Sequence, residues 1–196
     1  NTGFTVVAPI ALSFRFLGIG LWQARLSGVL YALGALGSLH ILVCKVYGLK
    51  TANATLFVGL FTAIVPDLHP VLMGRLPLGE MPAMFYLLAG CVCTVVFWQR
   101  PGCLVSFSSL LWALALQTKP QVFPFLVGSL CVTTAIAAIC GHREGVVKLL
   151  SMIALLIICD RLIAWVWGGY VQCHTLAQIP STDPYAVLSD IDNLLT

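Results

Sequence analysis

The residues able to do chemistry in this sequence are few and grouped. Pro66-Asp67-Leu68-His69-Pro70 leads into Gly74-Arg75-Leu76-Pro77-Leu78-Gly79-Glu80. An acid, an imidazole, a guanidinium and a second acid therefore share one loop, and Glu80 opens the apolar run that follows. A carboxylate can take or orient the proton of an attacking hydroxyl. A neighbouring cation such as Arg75 can stabilise negative charge developing on a departing group. The plain alternative for Glu80 is a helix-start charge, since a carboxylate in the first turn interacts favourably with the helix dipole. Pro82 suits that same turn, whose N–H groups lack helical partners.

A second group is Gln117-Thr118-Lys119-Pro120-Gln121, set between two apolar runs. Lys119 reads either as an interfacial lysine snorkelling to water or as a cation for a phosphate head group. Arg75 carries the same two readings. A third group, Asp160-Arg161, lies inside an apolar run. Charges within a membrane are costly and mark functional sites by default; the alternative is neutralisation by polar groups of neighbouring helices. Successive helical residues point about 100° apart, so the two need not bond each other. At about 1.5 Å per residue, Arg161 is expected on the order of 10 Å below the outer end of its span. His40, His142 and His174 show no ligand spacing, and Cys91-x-Cys93 has no companion ligands, so no metal site is expected. Most of the eight cysteines sit in apolar runs and behave as small hydrophobes. Asn53-Ala54-Thr55 matches a glycan-acceptor pattern, but at a span start on the inner side.

The elements that must position these groups follow from composition. Of 196 residues, 60% are hydrophobic and 9% charged, and the mean hydropathy is +1.00. Soluble domains are about 45–50% apolar and about 25% charged. A soluble enzyme, a disordered tail and a disulfide-stapled secreted domain are thereby excluded. An all-α, polytopic transmembrane helix bundle of about six spans is expected, because unpaired backbone groups in lipid cost several kcal/mol each. The spans read as Leu21–Val46, Gly48–Val65, Met81–Trp98, Cys103–Thr118, Val122–Cys140 and Val146–Trp167. Residues 1–20 read as an outer-face interfacial segment or the ragged end of an upstream region, 21–167 as the bundle, and 168–196 as a polar outer tail. The net charge of +3 forms no basic block, so no nucleic-acid partner is expected. Lys45, Lys50, Arg100, Arg143 and Lys148 outnumber the cations of the opposite links and place their ends in the cytoplasm. Asp67, His69, Arg75, Glu80, Lys119 and Gln121 then face outward. The chain opens on Asn1 without a charged region leading to a cleavage site, and reads as a piece of a longer protein.

Several runs resemble a known family. They are Thr2-Gly3-Phe4-Thr5-Val6-Val7-Ala8-Pro9, Phe16-Leu17-Gly18-Ile19-Gly20-Leu21-Trp22-Gln23-Ala24-Arg25-Leu26, Gly74 through Leu88, and Thr118-Lys119-Pro120-Gln121. Together these are similar to polytopic bacterial glycosyltransferases of the dolichyl-phosphate-mannose protein mannosyltransferase type, glycosyltransferase family 39 of the GT-C superfamily. The similarity extends over about Gly3 to Gly128, with Gly-Arg…Gly-Glu-x-Pro-Ala its better motif and Arg-Leu before a span a weak one.

The resemblance implies part of a GT-C transmembrane core in the cell (inner) membrane, with its active site on the extracytoplasmic face. Such an enzyme moves a sugar from a polyprenyl-phosphate carrier to an acceptor hydroxyl on protein, lipid or polysaccharide, usually with inversion. The family's base is an aspartate in the first outer loop, upstream of this chain's start, so the chain alone is expected to be inactive. Glu80 matches the second acidic position. Arg75 and Lys119 match positions near the head-group pocket more loosely, and Asp67, His69, Gln121 and Arg161 join them as candidate substrate contacts. Some members use a divalent cation, for which no ligand spacing appears here. Two other classes compete. A transporter or flippase would line a path with Asp160-Arg161, but internal repeats and broken helices are not evident. A non-catalytic membrane scaffold is the third.

Overall fold

The computed structural model describes residues 4–61 and 80–178. The described elements are α1 (Phe4–Leu17), α2 (Leu21–Tyr47), α3 (Leu49–Phe61), α4 (Glu80–Val96), α5 (Pro101–Thr118), a 3-10 turn (Pro120–Val122), α6 (Phe123–Ile139) and α7 (Arg143–Gln178). The described residues thus build an all-helical protein, as expected. Three stretches are long and apolar enough to cross a membrane: Leu21–Tyr47, Pro120–Ile139 and Arg143–Gly169. They point to a membrane protein. The expected third and fourth spans appear as the shorter apolar helices α4 and α5, and α3 accounts for Leu49–Phe61 of the expected second. The rest of that second span lies outside the described residues.

Most helix ends fall within a few residues of the expected spans, and Pro120 begins a 3-10 turn that leads into α6. The largest difference is at the end of the sixth span, expected at Trp167, where α7 continues through Gly168 and Gly169 to Gln178. Glycine in a helix costs only about 1 kcal/mol, which the surrounding turns outweigh. The chain divides into a compact unit ending at Ile163 and a second beginning at Ala164, whose described part is the continuing helix.

Within the first unit, α5, α6 and α7 share a core. Trp112, Ala113 and Leu116 of α5 meet Leu126 and Leu130 of α6 and Leu149, Met152 and Leu156 of α7. The three-and-four spacing of these residues is the apolar stripe of a packed helix. Ser109 Oγ donates to the Met152 carbonyl at 3.0 Å and ties α5 to α7. On the other side, α4 packs along both α2 and α5. Small residues make the α2–α4 contact: Ala32, Ala35 and Ser38 are buried, and a Cβ on Gly34 would come within 2.7 Å of the Phe85 ring. Small side chains let helices approach where lipid supplies no hydrophobic drive to pair them. Large apolar residues face outward instead, Phe125 being 77% and Ile139 85% exposed.

Helix ends are set by local chemistry. The turn after α6 satisfies its carbonyls in a Schellman motif, with the His142 amide donating to Ala137 at 2.9 Å and the Gly141 amide to Ala138 at 3.1 Å. Gly141 has φ 74°, a left-handed conformation that a side chain disfavours. At the α4–α5 crossing, a Cβ on Gly90 would collide with the Trp112 indole, whose Nε1 donates to the Leu87 carbonyl at 3.2 Å. Gly90→Ala is therefore expected to destabilise the protein by about 1–3 kcal/mol, the cost of overpacking a close contact. Gly128→Ala, with open space around it, serves as the control. Thermal unfolding in detergent tests this, and equal melting of the two variants would refute the close approach.

Candidate functional site

The site begins where α5 ends. Pro120 disfavours helical backbone in the residue before it, and Lys119 accordingly turns extended, at φ −142° and ψ 93°. Its amide still closes the helix by donating to Ala115 at 2.9 Å. Leaving the helical path carries the Lys119 side chain across to the first residue of α4, where Nζ donates to Glu80 Oε1. Both side chains are about one-third exposed, 32% for Lys119 and 39% for Glu80. The second carboxylate oxygen, Glu80 Oε2, is buried and has no hydrogen-bond partner among the described residues. The Lys119 hydrogen bond holds the Glu80 carboxyl below its ordinary range, against a smaller opposing effect of partial burial.

The two residues before Lys119 bind two further helices. Thr118 Oγ1 donates to Leu114 at 2.7 Å, so it accepts from Thr5 Oγ1 of α1 at 2.6 Å. Gln117 Nε2 donates to Asp160 of α7 twice, to Oδ1 at 2.7 Å and to the backbone carbonyl at 3.0 Å. Successive residues point about 100° apart at a helix end, so Gln117, Thr118 and Lys119 reach α7, α1 and α4 in turn. A further chain closes behind them. Tyr31 Oη of α2 donates to the Thr5 carbonyl at 2.8 Å and accordingly accepts from Tyr86 Oη of α4 at 2.9 Å. Phe85 packs beside both tyrosines, with ring centres 5.7 Å from Tyr31 and 5.2 Å from Tyr86.

The structure thus brings Glu80 and Lys119 together. Gln121 is exposed in the adjoining 3-10 turn. Asp67, His69 and Arg75 lie outside the described residues. Gln117 is the penultimate residue of α5, and its bond to Asp160 ties α7 to the end of that helix. Asp160 and Arg161 fall inside the apolar stretch Arg143–Gly169. Arg161 is exposed while Asp160 turns to Gln117, so the two do not form the site as a unit. Among the described residues, no three of His, Cys, Asp and Glu gather to hold a metal ion.

Sequence reasoning missed Thr5, Tyr31 and Tyr86 as members of this network. A signal existed, because a tyrosine hydroxyl inside an apolar run usually finds a partner. No protein-family model, curated protein or solved structure matches the chain.

The depressed Glu80 carboxyl gives a pH signature of defined sign. Stability from the pair is full above about pH 4.3, the ordinary glutamate value, and is lost as the pH falls through the lower folded value. With both side chains reached by solvent, its size is at most about 1 kcal/mol. Glu80→Gln is expected to flatten the acid side of the melting-temperature profile while leaving the neutral side within about 1 kcal/mol. An unaltered acid slope in this variant would remove the pair from the account of stability.

Proposed function

We propose that the chain is part of a membrane glycosyltransferase that moves a sugar from a polyprenyl-phosphate donor to an acceptor hydroxyl. The observation that supports this reading is the meeting of Glu80 and Lys119 at one end of the helices, each with unspent capacity. A lysine ammonium carries three donors, and the bond to Glu80 uses one. A phosphate offers several acceptor oxygens for the others. Glu80 Oε2, without a partner among the described residues, can accept from a sugar or acceptor hydroxyl. Arg75, five residues before Glu80 in the sequence, supplies a second cation in this reading.

In the proposed reaction the bond from the sugar's anomeric carbon to the phosphate oxygen breaks, and one to the acceptor oxygen forms. The phosphate departs on its lipid carrying the bonding electron pair. Lys119 and Arg75 stabilise that charge, an effect larger in a site partly shielded from water than in bulk solvent. A carboxylate takes the acceptor's proton. The family resemblance assigns that role to an aspartate upstream of Asn1, with Glu80 assisting by orienting the hydroxyl. About six spans in the cell membrane, with this end on the extracytoplasmic face, complete the proposal. The transporter alternative loses one of its supports, because Asp160 already accepts from Gln117 rather than standing open to a path.

The full-length protein in membrane vesicles, supplied with polyprenyl-phosphate-linked sugar and an acceptor, tests the reading. Lys119→Met is expected to lower transfer by about 10²–10³-fold, the scale for losing one charge-stabilising donor. Glu80→Gln is expected to lower it by about 10²-fold, with both variants inserted in the membrane at wild-type levels. Transfer by both variants at the wild-type rate would reject the site.

A further inference from the structure

At the other end of α4, α5 and α6 the first unit carries a different kind of surface. A cavity of about 710 Å³ opens at the α6–α7 turn, with Trp98, His142, Arg143 and Lys148 among its walls. Lys148 Nζ donates to the Trp98 carbonyl at 3.3 Å, lies 5.5 Å from the indole centre and stands 3.8 Å from Glu144. The Glu144 side chain is 92% exposed, so water screens most of its charge. Arg143 is exposed beside it. The cavity wall is therefore net basic, and it sits at the first turn of α7, where the helix dipole adds positive potential.

This cavity adjoins a second one, an apolar groove of about 510 Å³, and the two share Trp98, Thr133 and Leu149. The groove runs from Val122, at the end of the 3-10 turn, along α6 to Thr133, about 16 Å at the helical rise, which is comparable with one leaflet of a core about 30 Å thick. The hydroxyls along it are already spent. Thr94 donates to Gly90 at 2.8 Å, Ser129 to Phe125 at 2.7 Å and Thr133 to Ser129 at 2.7 Å. What the groove offers a guest is hydrocarbon.

We propose that the cavity and groove together bind one anionic phospholipid, its phosphate beside Arg143 and Lys148 and an acyl chain along α6. Charge complementarity selects the head group, and the shared wall at Trp98, Thr133 and Leu149 joins it to the tail path. Trp98 marks the level of the membrane interface, where tryptophans gather. The site is separate from Glu80–Lys119 and stands whether or not the chain transfers sugar. Its end is the one that the distribution of Lys and Arg assigns to the cytoplasm, the leaflet richer in anionic lipid.

The test uses the purified chain in detergent, with phosphatidylglycerol and phosphatidylcholine of identical acyl chains and native mass spectrometry as readout. Phosphatidylglycerol is expected to be retained preferentially. Arg143→Gln should lower that retention about fivefold, the weight of one cation at an anionic lipid surface. Ser129→Trp, which fills the groove from an exposed position, should lower retention of phosphatidylglycerol without changing the helical circular dichroism. Soluble glycerol phosphate should not displace the lipid. Equal retention of the two lipids, indifference to Arg143→Gln, or displacement by glycerol phosphate would each overturn the proposal. Should Ser129→Trp lose its helical signal, Ser129→Phe replaces it, and undiminished retention in a folded groove variant would also overturn it.

Discussion

A polar group surrounded by lipid has no water to bond, so it must find its partner inside the protein or pull the helix carrying it out of place. This constraint organises the end of α5. Gln117, Thr118 and Lys119 engage α7, α1 and α4, and Tyr31 and Tyr86 extend the network to α2. Five helices are held at one level by side chains whose alternative is an unsatisfied donor or acceptor. Apolar contacts alone fix such a level poorly, since lipid tails are as apolar as leucine and leave helix association to close packing and hydrogen bonds. The catalytic chemistry proposed for Glu80 and Lys119 uses groups that the architecture already needs near that boundary.

The rest of the packing serves the same constraint by a different means. Where α4 crosses α5, the helices meet because Gly90 leaves room for the Trp112 indole, whose Nε1 donates across the crossing to the Leu87 carbonyl. Where α4 meets α2, Gly34 accepts the Phe85 ring. Phe85 and Tyr86 are consecutive on α4, so the same turn that packs into the small-residue face also presents a hydroxyl to Tyr31. Close approach is thus coupled to polar satisfaction: a wider α2–α4 separation would break the tyrosine pair as well as open a void.

How much of this was legible in the sequence depended on the range of the interaction. Helical class followed from the scarcity of charge and the lengths of the apolar runs, and most helix ends followed from local residues, Pro120 and Gly141 among them. Glu80 and Lys119 were legible as candidates because each stands at the edge of an apolar run beside a proline. Their pairing was not, since it depends on the relative rotation of α4 and α5, which no local pattern encodes. The bond between Gln117 and Asp160 was not legible for a related reason, because it depends on how α7 stands against α5. Thr5, Tyr31 and Tyr86 escaped notice because hydroxyls in apolar runs carry no spacing signature of their own.

An ion pair at rest is an odd feature in a site proposed to bind a phosphate, unless the pair is a placeholder. A lone lysine at this boundary would snorkel away toward water. Glu80 holds the Lys119 ammonium beside the start of α4 before any donor arrives. A phosphate bearing one or two negative charges and several acceptor oxygens competes for the same ammonium on better terms than a single carboxylate oxygen. When it does, the Glu80 carboxylate is released beside the sugar with its depressed proton affinity no longer supported by Lys119. Its basicity therefore rises as the donor binds. In the proposed transferase, donor binding and the freeing of Glu80 to orient the acceptor hydroxyl are then two consequences of one exchange of partners at Lys119.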